Sequence, residues 1–266
     1  MHEFSTVQLH ISADQVASVW LDRPDKNNAF NALMLEELHE AFERVSQQPA
    51  LRFMFLRGHG RHFSAGADLA WMQASARLSY AENFAEAARL GQLMEQLQRL
   101  PLPTIAVVQG AAFAGAMGLV SCCDMAIAAD DALFSLSEVR LGLAPAVISP
   151  YVVQAMGPRA ARRYALTAER FDALRARELG LLDEVYPPAE LEQAVQDWTC
   201  RLLGNGPEAM RACKALLLEI GDGQATAPRQ ACAQALIARL RTSAEGQEGM
   251  QAFFEKRAPA WAEVLP

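Results

Sequence analysis

Arg61-His62-Phe63-Ser64-Ala65-Gly66-Ala67-Asp68-Leu69 follows the apolar run Phe53-Met54-Phe55-Leu56. Gly110-Ala111-Ala112-Phe113-Ala114-Gly115-Ala116-Met117-Gly118-Leu119 follows Thr104-Ile105-Ala106-Val107-Val108. Each pair reads as a strand, a glycine turn and the start of a helix. Such a junction leaves backbone N–H groups unpaired, with the helix dipole directed out of the turn. One such turn can hold an anion. Two that converge can place two N–H donors on a single oxygen, which points to chemistry on a carbonyl whose oxygen becomes negative.

Outward from these turns the pattern alternates. Val16–Leu21 reads as a strand, ended by the turn chemistry of Arg23-Pro24-Asp25-Lys26-Asn27-Asn28. Leu35, Leu38, Phe42 and Val45 have helical spacing behind a candidate N-cap, Asn31. Residues 80–99 predict a long amphipathic helix that Pro101 and Pro103 stop. Residues 115–123 predict an apolar helix, and Met125–Ala129 and Leu133–Leu136 predict short strands. Strands alternating with helices indicate an α/β fold. Beyond residue 150 helical patterns dominate, at 158–167, 172–180, 189–203, 207–220 and 226–242. The apolar positions Leu202, Ala209, Cys213, Leu216 and Leu217, then Ala231, Ala235, Leu236 and Leu240, give broad faces suited to packing between subunits. The alternative is that they cover their own core.

A chain of 266 residues, 52% hydrophobic and 21% charged, can bury a large core and carries no disordered bias. No apolar run reaches the roughly 18 residues of a membrane span, and the start Met1-His2-Glu3-Phe4-Ser5 is not signal-like. The net charge of −7 argues against a nucleic-acid partner. Cys122, Cys123, Cys200, Cys213 and Cys232 show no CxxC spacing; Cys122 and Cys123 read as buried, inert thiols, and the cytoplasm is the expected compartment. His59 and His62 lack metal-ligand spacing, so no metal is expected. Gly58-His59-Gly60 does not continue as a dinucleotide fingerprint.

Taken in order, Leu21-Asp22-Arg23-Pro24, Phe63 to Leu69, Gly110 to Leu119, Cys123-Asp124-Met125-Ala126-Ile127-Ala128 and Phe253-Glu255-Lys256-Arg257 resemble the crotonase (enoyl-CoA hydratase/isomerase) family over nearly the whole chain. The resemblance implies a spiral of ββα repeats over residues 1–200, and a helical region over 201–266 that packs subunits into a trimer or a dimer of trimers. It implies that Ala67 and Gly115 donate the oxyanion-hole N–H groups to an acyl-CoA thioester. Coenzyme A arrives as part of the substrate, so no separate cofactor is implied. Ala65, Asp68 and Leu69 match the strip that contacts adenine, Lys26 the early loop near the phosphates, and Phe253 and Lys256 a C-terminal pair that reaches CoA. On the residues alone, each lysine is more often a solvated surface charge, and Asp68 is equally a helix N-cap.

Glu138 is an acidic residue in the otherwise apolar Phe134-Ser135-Leu136-Ser137-Glu138-Val139. Buried, its carboxyl would exchange protons near neutral pH; otherwise it is a first-turn glutamate behind a Ser137 cap. The resemblance matches it to one of the family's two catalytic glutamates. The second is absent, because the triplet Ala114-Gly115-Ala116 is followed by Met117 and then Gly118 at the glutamate's place. A glycine inside a helix suggests that the substrate or another chain needs the room. Gly118→Glu is therefore expected to weaken diacid substrates and, if sterics allow, to raise hydration of crotonyl-CoA.

One glutamate can serve a hydratase that returns water's proton to the α-carbon, or an isomerase that shuttles one proton between two carbons. The neighbouring stretches 122–127, 137–150 and 161–171, with Pro145-Ala146-Val147-Ile148-Ser149 in place of a glycine-rich loop, are similar to bacterial glutaconyl-CoA hydratases of leucine and acyclic terpene breakdown. That implies a substrate with a second carboxylate, which needs a polar or cationic anchor; Arg140, Ser149 and Tyr151 are near Glu138 in sequence, with Arg140 also readable as a surface charge, and the residues alone do not single out the anchor. A serine hydrolase using Ser64 with His59 or His62 lacks the expected elbow. A non-catalytic CoA- or RNA-binding scaffold is the remaining alternative.

Overall fold

The computed structural model describes residues 4–221 and 226–262; the side chains of 226–232, among them Ala231 and Cys232, lie outside the described set. The strands are β1 (Val7–Ile11), β2 (Val16–Leu21), β3 (Phe53–Gly58), β4 (Thr104–Val108), β5 (Ala111–Phe113), β6 (Met125–Ala129), β7 (Leu133–Ser135), β8 (Phe171–Asp172) and β9 (Glu184–Tyr186). Six form one sheet in the order β1-β2-β3-β4-β6-β9, parallel except for the β1–β2 pair. The other three form a small sheet, β5-β7-β8. From β4 onward the chain passes from one sheet to the other and back, so each turn of the spiral carries a strand in each. This is a mixed α/β fold with helices gathered toward the C-terminus.

The helices are α1 (Ala32–Ser46), α2 (Leu69–Ser75), α3 (Tyr80–Gln98), α4 (Gly115–Cys122), α5 (Ser149–Met156), α6 (Pro158–Thr167), α7 (Ala173–Glu178), α8 (Leu191–Leu203), α9 (Pro207–Gly221), α10 (Thr226–Thr242) and α11 (Ala244–Glu255). Asn31 caps α1 as predicted, its side chain accepting from the Met34 amide. Ser79 and Glu82 form a reciprocal capping box at the start of α3. Every residue of β3 and β4 is buried, which explains the apolar runs Phe53–Leu56 and Ile105–Val108 within them.

β1 was not foreseen. It is secured by Glu37 of α1, whose carboxylate accepts from the amides and hydroxyls of both Ser5 and Thr6 at 2.6–2.9 Å. Burial works to raise that carboxyl, but the four donors outweigh it and hold it below the ordinary glutamate range.

The chain divides into two compact units. Met1–Leu100 with Thr104–Glu192 forms the first, and Pro101–Pro103 with Gln193–Pro266 the second. In the second unit the buried Lys214 of α9 donates to the Leu102 carbonyl, and the Trp261 indole donates to that of Gly204. Among the described residues no helix is long and apolar enough to cross a membrane.

Candidate active site

The two glycine turns meet in the first unit. Phe30 bridges to Ala67, its N–H donating to the Gly66 carbonyl while its own carbonyl accepts from Asp68. Ser64 bridges to Ala112. Gly66 has φ +93°, and a Cβ there would stand 3.0 Å from the Phe113 carbonyl oxygen and 3.3 Å from the Ala114 Cβ. Only glycine lets the first turn take this conformation and lie directly on the second. The Phe30 ring in turn lies 3.2 Å from where a Cβ on Gly115 would be.

Ala114 precedes α4 at φ +51°, ψ −121°, a region that L residues seldom occupy. Such strain costs on the order of 1–3 kcal/mol and persists where the surroundings fix it. Here the Ala114 N–H donates to the Ser135 carbonyl at 2.8 Å, and its carbonyl accepts from Met117 at 2.9 Å. The conformation turns the next peptide, so that the Gly115 N–H leads α4 without an intrahelical acceptor. The Ala67 N–H likewise has no acceptor among the described residues. Each of the two touching turns thus carries an amide with no acceptor among the described residues.

The bond from Ala114 to Ser135 also registers the third component. β5 pairs with β7, and β7 runs into a short 3-10 helix, Glu138–Leu141, closed by Gly142. Glu138 is its first residue. Ser137 makes no side-chain cap, contrary to the capping alternative. The Glu138 Oε2 is buried without a hydrogen-bond partner among the described residues. Burial pushes the carboxyl above the ordinary range, only partly opposed by its own backbone amide. A desolvated carboxyl with one oxygen unpartnered is suited to take and give a proton.

Gly118 lies one helical turn beyond Gly115 and is buried. The room around it belongs to neither substrate nor a second chain, as the sequence suggested: Ile148 of the same chain fills it. The anchors considered for a second carboxylate are largely committed. Arg140 donates to the Ala168 carbonyl at 2.7 Å and Ser149 to that of Pro145 at 2.6 Å. Tyr151 is half-buried, and burial chiefly raises its hydroxyl pKa.

A cleft of about 820 Å³ runs beside the first turn and includes Arg23, Lys26, Ala65, Ala67, Asp68 and Leu69 in its lining. Lys26 is exposed, and Leu69 is 76% exposed. Ala65 donates its N–H to the Asn27 carbonyl. Asp68 caps α2, accepting from the amides of Ala70 and Trp71, and pairs with Arg23 at 3.0 Å. Burial would raise its carboxyl, but the Arg23 hydrogen bond, the two amides and the Arg23 charge together hold it below the ordinary range. Its stabilising contribution is therefore present at neutral pH and lost as pH falls below about 4. Asp68→Ala is expected to lower the melting temperature by about 2–4 °C at pH 7, the scale of one lost cap, and by less at pH 3. An equal loss at both pH values in thermal melts would contradict this role. Phe253 and Lys256 lie at the end of α11 in the second unit, Phe253 77% exposed and Lys256 closing the helix at φ +55°.

Asn28 was missed. It is fully buried, donates to the carbonyls of His59 and His62 at 2.8 Å, and accepts from the Arg23 amide. Its carbonyl takes the Ser64 hydroxyl. The Asn27-Asn28 pair, both at positive φ, was its only trace in the sequence. Ser64 is fully buried and so bonded, and His62 Nδ1 accepts from the Ala111 amide, so neither forms a nucleophile–base pair. Cys122 is buried, which raises its thiol pKa, and Cys123 is half-buried.

Residues 12–264 match the sequence profile described as enoyl-CoA hydratase/isomerase. A crystal structure of an enoyl-CoA hydratase from Shewanella pealeana superposes with a TM-score of 0.92 at 46% identity, covering 97% of each chain. A protein named putative enoyl-CoA hydratase from Thermus thermophilus is 32% identical, over 94% of this chain and 99% of its own. The crotonyl-CoA hydratase of Syntrophomonas wolfei is 33% identical, over 92% and 93%. With the family's profile spanning almost its whole length, the chain belongs to the enoyl-CoA hydratase/isomerase family.

Proposed function

We propose that the protein is a hydro-lyase that adds water across the α,β double bond of a branched glutaconyl-CoA thioester, with a methyl or an isohexenyl branch. The observation that carries this reading is the buried, unpartnered Glu138 Oε2, on the short helix that follows β7, the strand to which Ala114 is bonded just before the free Gly115 amide. Ala67 and Gly115 donate to the thioester oxygen. Glu138, ionised, takes a proton from water as the water oxygen bonds the β-carbon, and the π electrons shift toward the thioester, whose oxygen gains charge. The same proton is then delivered from Glu138 to the α-carbon. One water is added, and Glu138 returns to its starting state.

The cleft beside Arg23, Lys26, Ala65 and Leu69 would take the nucleotide end of CoA. With no carboxylate at Gly118, the acyl site has less negative charge to oppose a second substrate carboxylate. Incubation with both glutaconyl thioesters, crotonyl-CoA and a 3-enoyl-CoA, followed by product mass and retention, tests the reading. Hydration of a glutaconyl ester with faint turnover of crotonyl-CoA is expected. The single acid also suits an isomerase, and rapid 3-enoyl to 2-enoyl conversion without water uptake would establish that instead.

The chain is further proposed to assemble as a trimer or a dimer of trimers. Leu217 of α9, Ile237 of α10, and Phe253 and Phe254 of α11 are exposed apolar side chains that such packing would cover. Light scattering at micromolar concentration should give three or six times the 29.1 kDa chain mass. A monomeric mass would overturn the assembly.

A further inference from the structure

His62 belongs to the first glycine turn but takes no part in the chemistry above. Its surroundings give it another task. A short parallel ladder joins the two turns: the Ser64 amide donates to the Ala111 carbonyl at 2.9 Å, and the Phe113 amide to the Ser64 carbonyl at 3.1 Å. Such bonds recur every two residues along each strand, so the Ala111 amide would next meet the His62 carbonyl. That carbonyl is already taken by the Asn28 side chain, at 2.8 Å. The Ala111 amide instead donates to the His62 ring, 3.0 Å from Nδ1. The imidazole stands in for a main-chain carbonyl.

The sequence makes room for the ring. Gly110 has φ +61°, and a Cβ there would lie 2.5 Å from His62 Nδ1 and 2.2 Å from the Arg61 carbonyl oxygen. Only glycine lets the imidazole reach the next amide. Ala111 is thereby held at both ends, its amide by His62 and its carbonyl by Ser64. It opens β5, which runs through Ala114 into the Gly115 amide. A backbone N–H can donate only to a lone pair, so Nδ1 carries no proton here. Burial, then the neighbouring Arg61 charge, hold the ring's pKa below the ordinary histidine value, with Asp131 opposing them.

We propose that His62 is a positioning residue, whose unprotonated Nδ1 ties the turn bearing the Ala67 amide to the strand that sets the Gly115 amide. Protonation would set a second donor against the Ala111 amide and break the tie. Its contribution to stability is therefore present above about pH 6.5, the ordinary histidine value, and lost as pH falls through the lowered one. The effect on turnover rests on the oxyanion reading above.

Three measurements on the full-length protein test this. In nitrogen NMR of histidine-labelled protein at pH 8, the His62 ring should be protonated at Nε2 alone; a proton on Nδ1 would overturn the tie. His62→Asn keeps an acceptor oxygen near the place of Nδ1 and does not titrate. Between pH 8 and pH 5 the wild-type melting temperature should therefore fall relative to that of His62→Asn. A constant difference would contradict the proposal.

In kinetics, His62→Leu should lower kcat about 10- to 100-fold, the scale of an ångström-sized misplacement, with KM little changed. His62→Asn should recover most of that loss. A leucine variant with wild-type kcat, or an asparagine variant no better than leucine, would overturn the positioning role. If His62→Leu does not fold, His62→Ala takes its place. Absence of turnover by the wild-type protein on every thioester would count against the oxyanion reading instead. The NMR and the melts use no substrate and keep the two failures apart.

Discussion

Glu138→Gln is expected to lower kcat by about 10² or more while raising the melting temperature at neutral pH. The first effect follows from its role: the amide keeps the shape of the side chain but cannot carry water's proton to the α-carbon. The second follows from burial. Desolvation raises the Glu138 carboxyl in the folded protein, so the native state binds its proton more tightly than the unfolded chain does. The contribution of this group to wild-type stability therefore falls as pH rises from about 4.5, the ordinary glutamate value, through the raised one. Glutamine escapes that penalty. The gain should be absent near pH 4 and grow toward neutrality, the trade expected of a group kept for function rather than stability. A structural glutamate would behave oppositely, with the variant melting lower and turnover little changed. Steady-state kinetics and melts at three pH values check both parts.

Gly118→Glu is expected to destabilise the protein severely. Its Cβ alone would collide with Ile148, and the carboxylate would follow into a space bounded by Ile148 and Met94. Overpacking costs about 1–3 kcal/mol and an unpaired buried charge several more. At about 2–4 °C per kcal/mol, the melting temperature should fall by roughly 10 °C or more, with no gain in crotonyl-CoA hydration. The condition set on the sequence expectation, that sterics allow the new side chain, is therefore not met. A variant as stable as wild type would show that Ile148 yields readily, and would contradict its close packing on Gly118.

Much of the architecture was legible because local signals agreed with it. β3 and β4 are buried on both faces and carry the apolar runs Phe53–Leu56 and Ile105–Val108, and Asn31 capped α1 as its position suggested. The two glycine turns stood out because their conformations need small residues. What escaped notice depends on partners distant in sequence. β1 is held by Glu37, and β5 is three small or aromatic residues whose strand character comes from pairing with β7. β9 gains its place only at the edge of a sheet built earlier in the chain. α5 was hidden by the Pro-containing start Ser149-Pro150, and α11 by its glycines.

The candidate site divides the same way. Glu138 was visible as a lone acid in an apolar stretch, and Asp68 as a residue fit to cap. The Asn28 staple and the Ile148 contact with Gly118 were not visible. Each joins segments about 30 residues apart without any periodicity to announce it.

The most direct test is the mass of the product formed from a branched glutaconyl-CoA by the wild-type protein and by Glu138→Gln. The account predicts that the wild type adds the mass of one water and that the variant adds it at least about 10²-fold more slowly. A product of unchanged mass, or a variant as fast as the wild type, would contradict single-carboxylate hydration at Glu138.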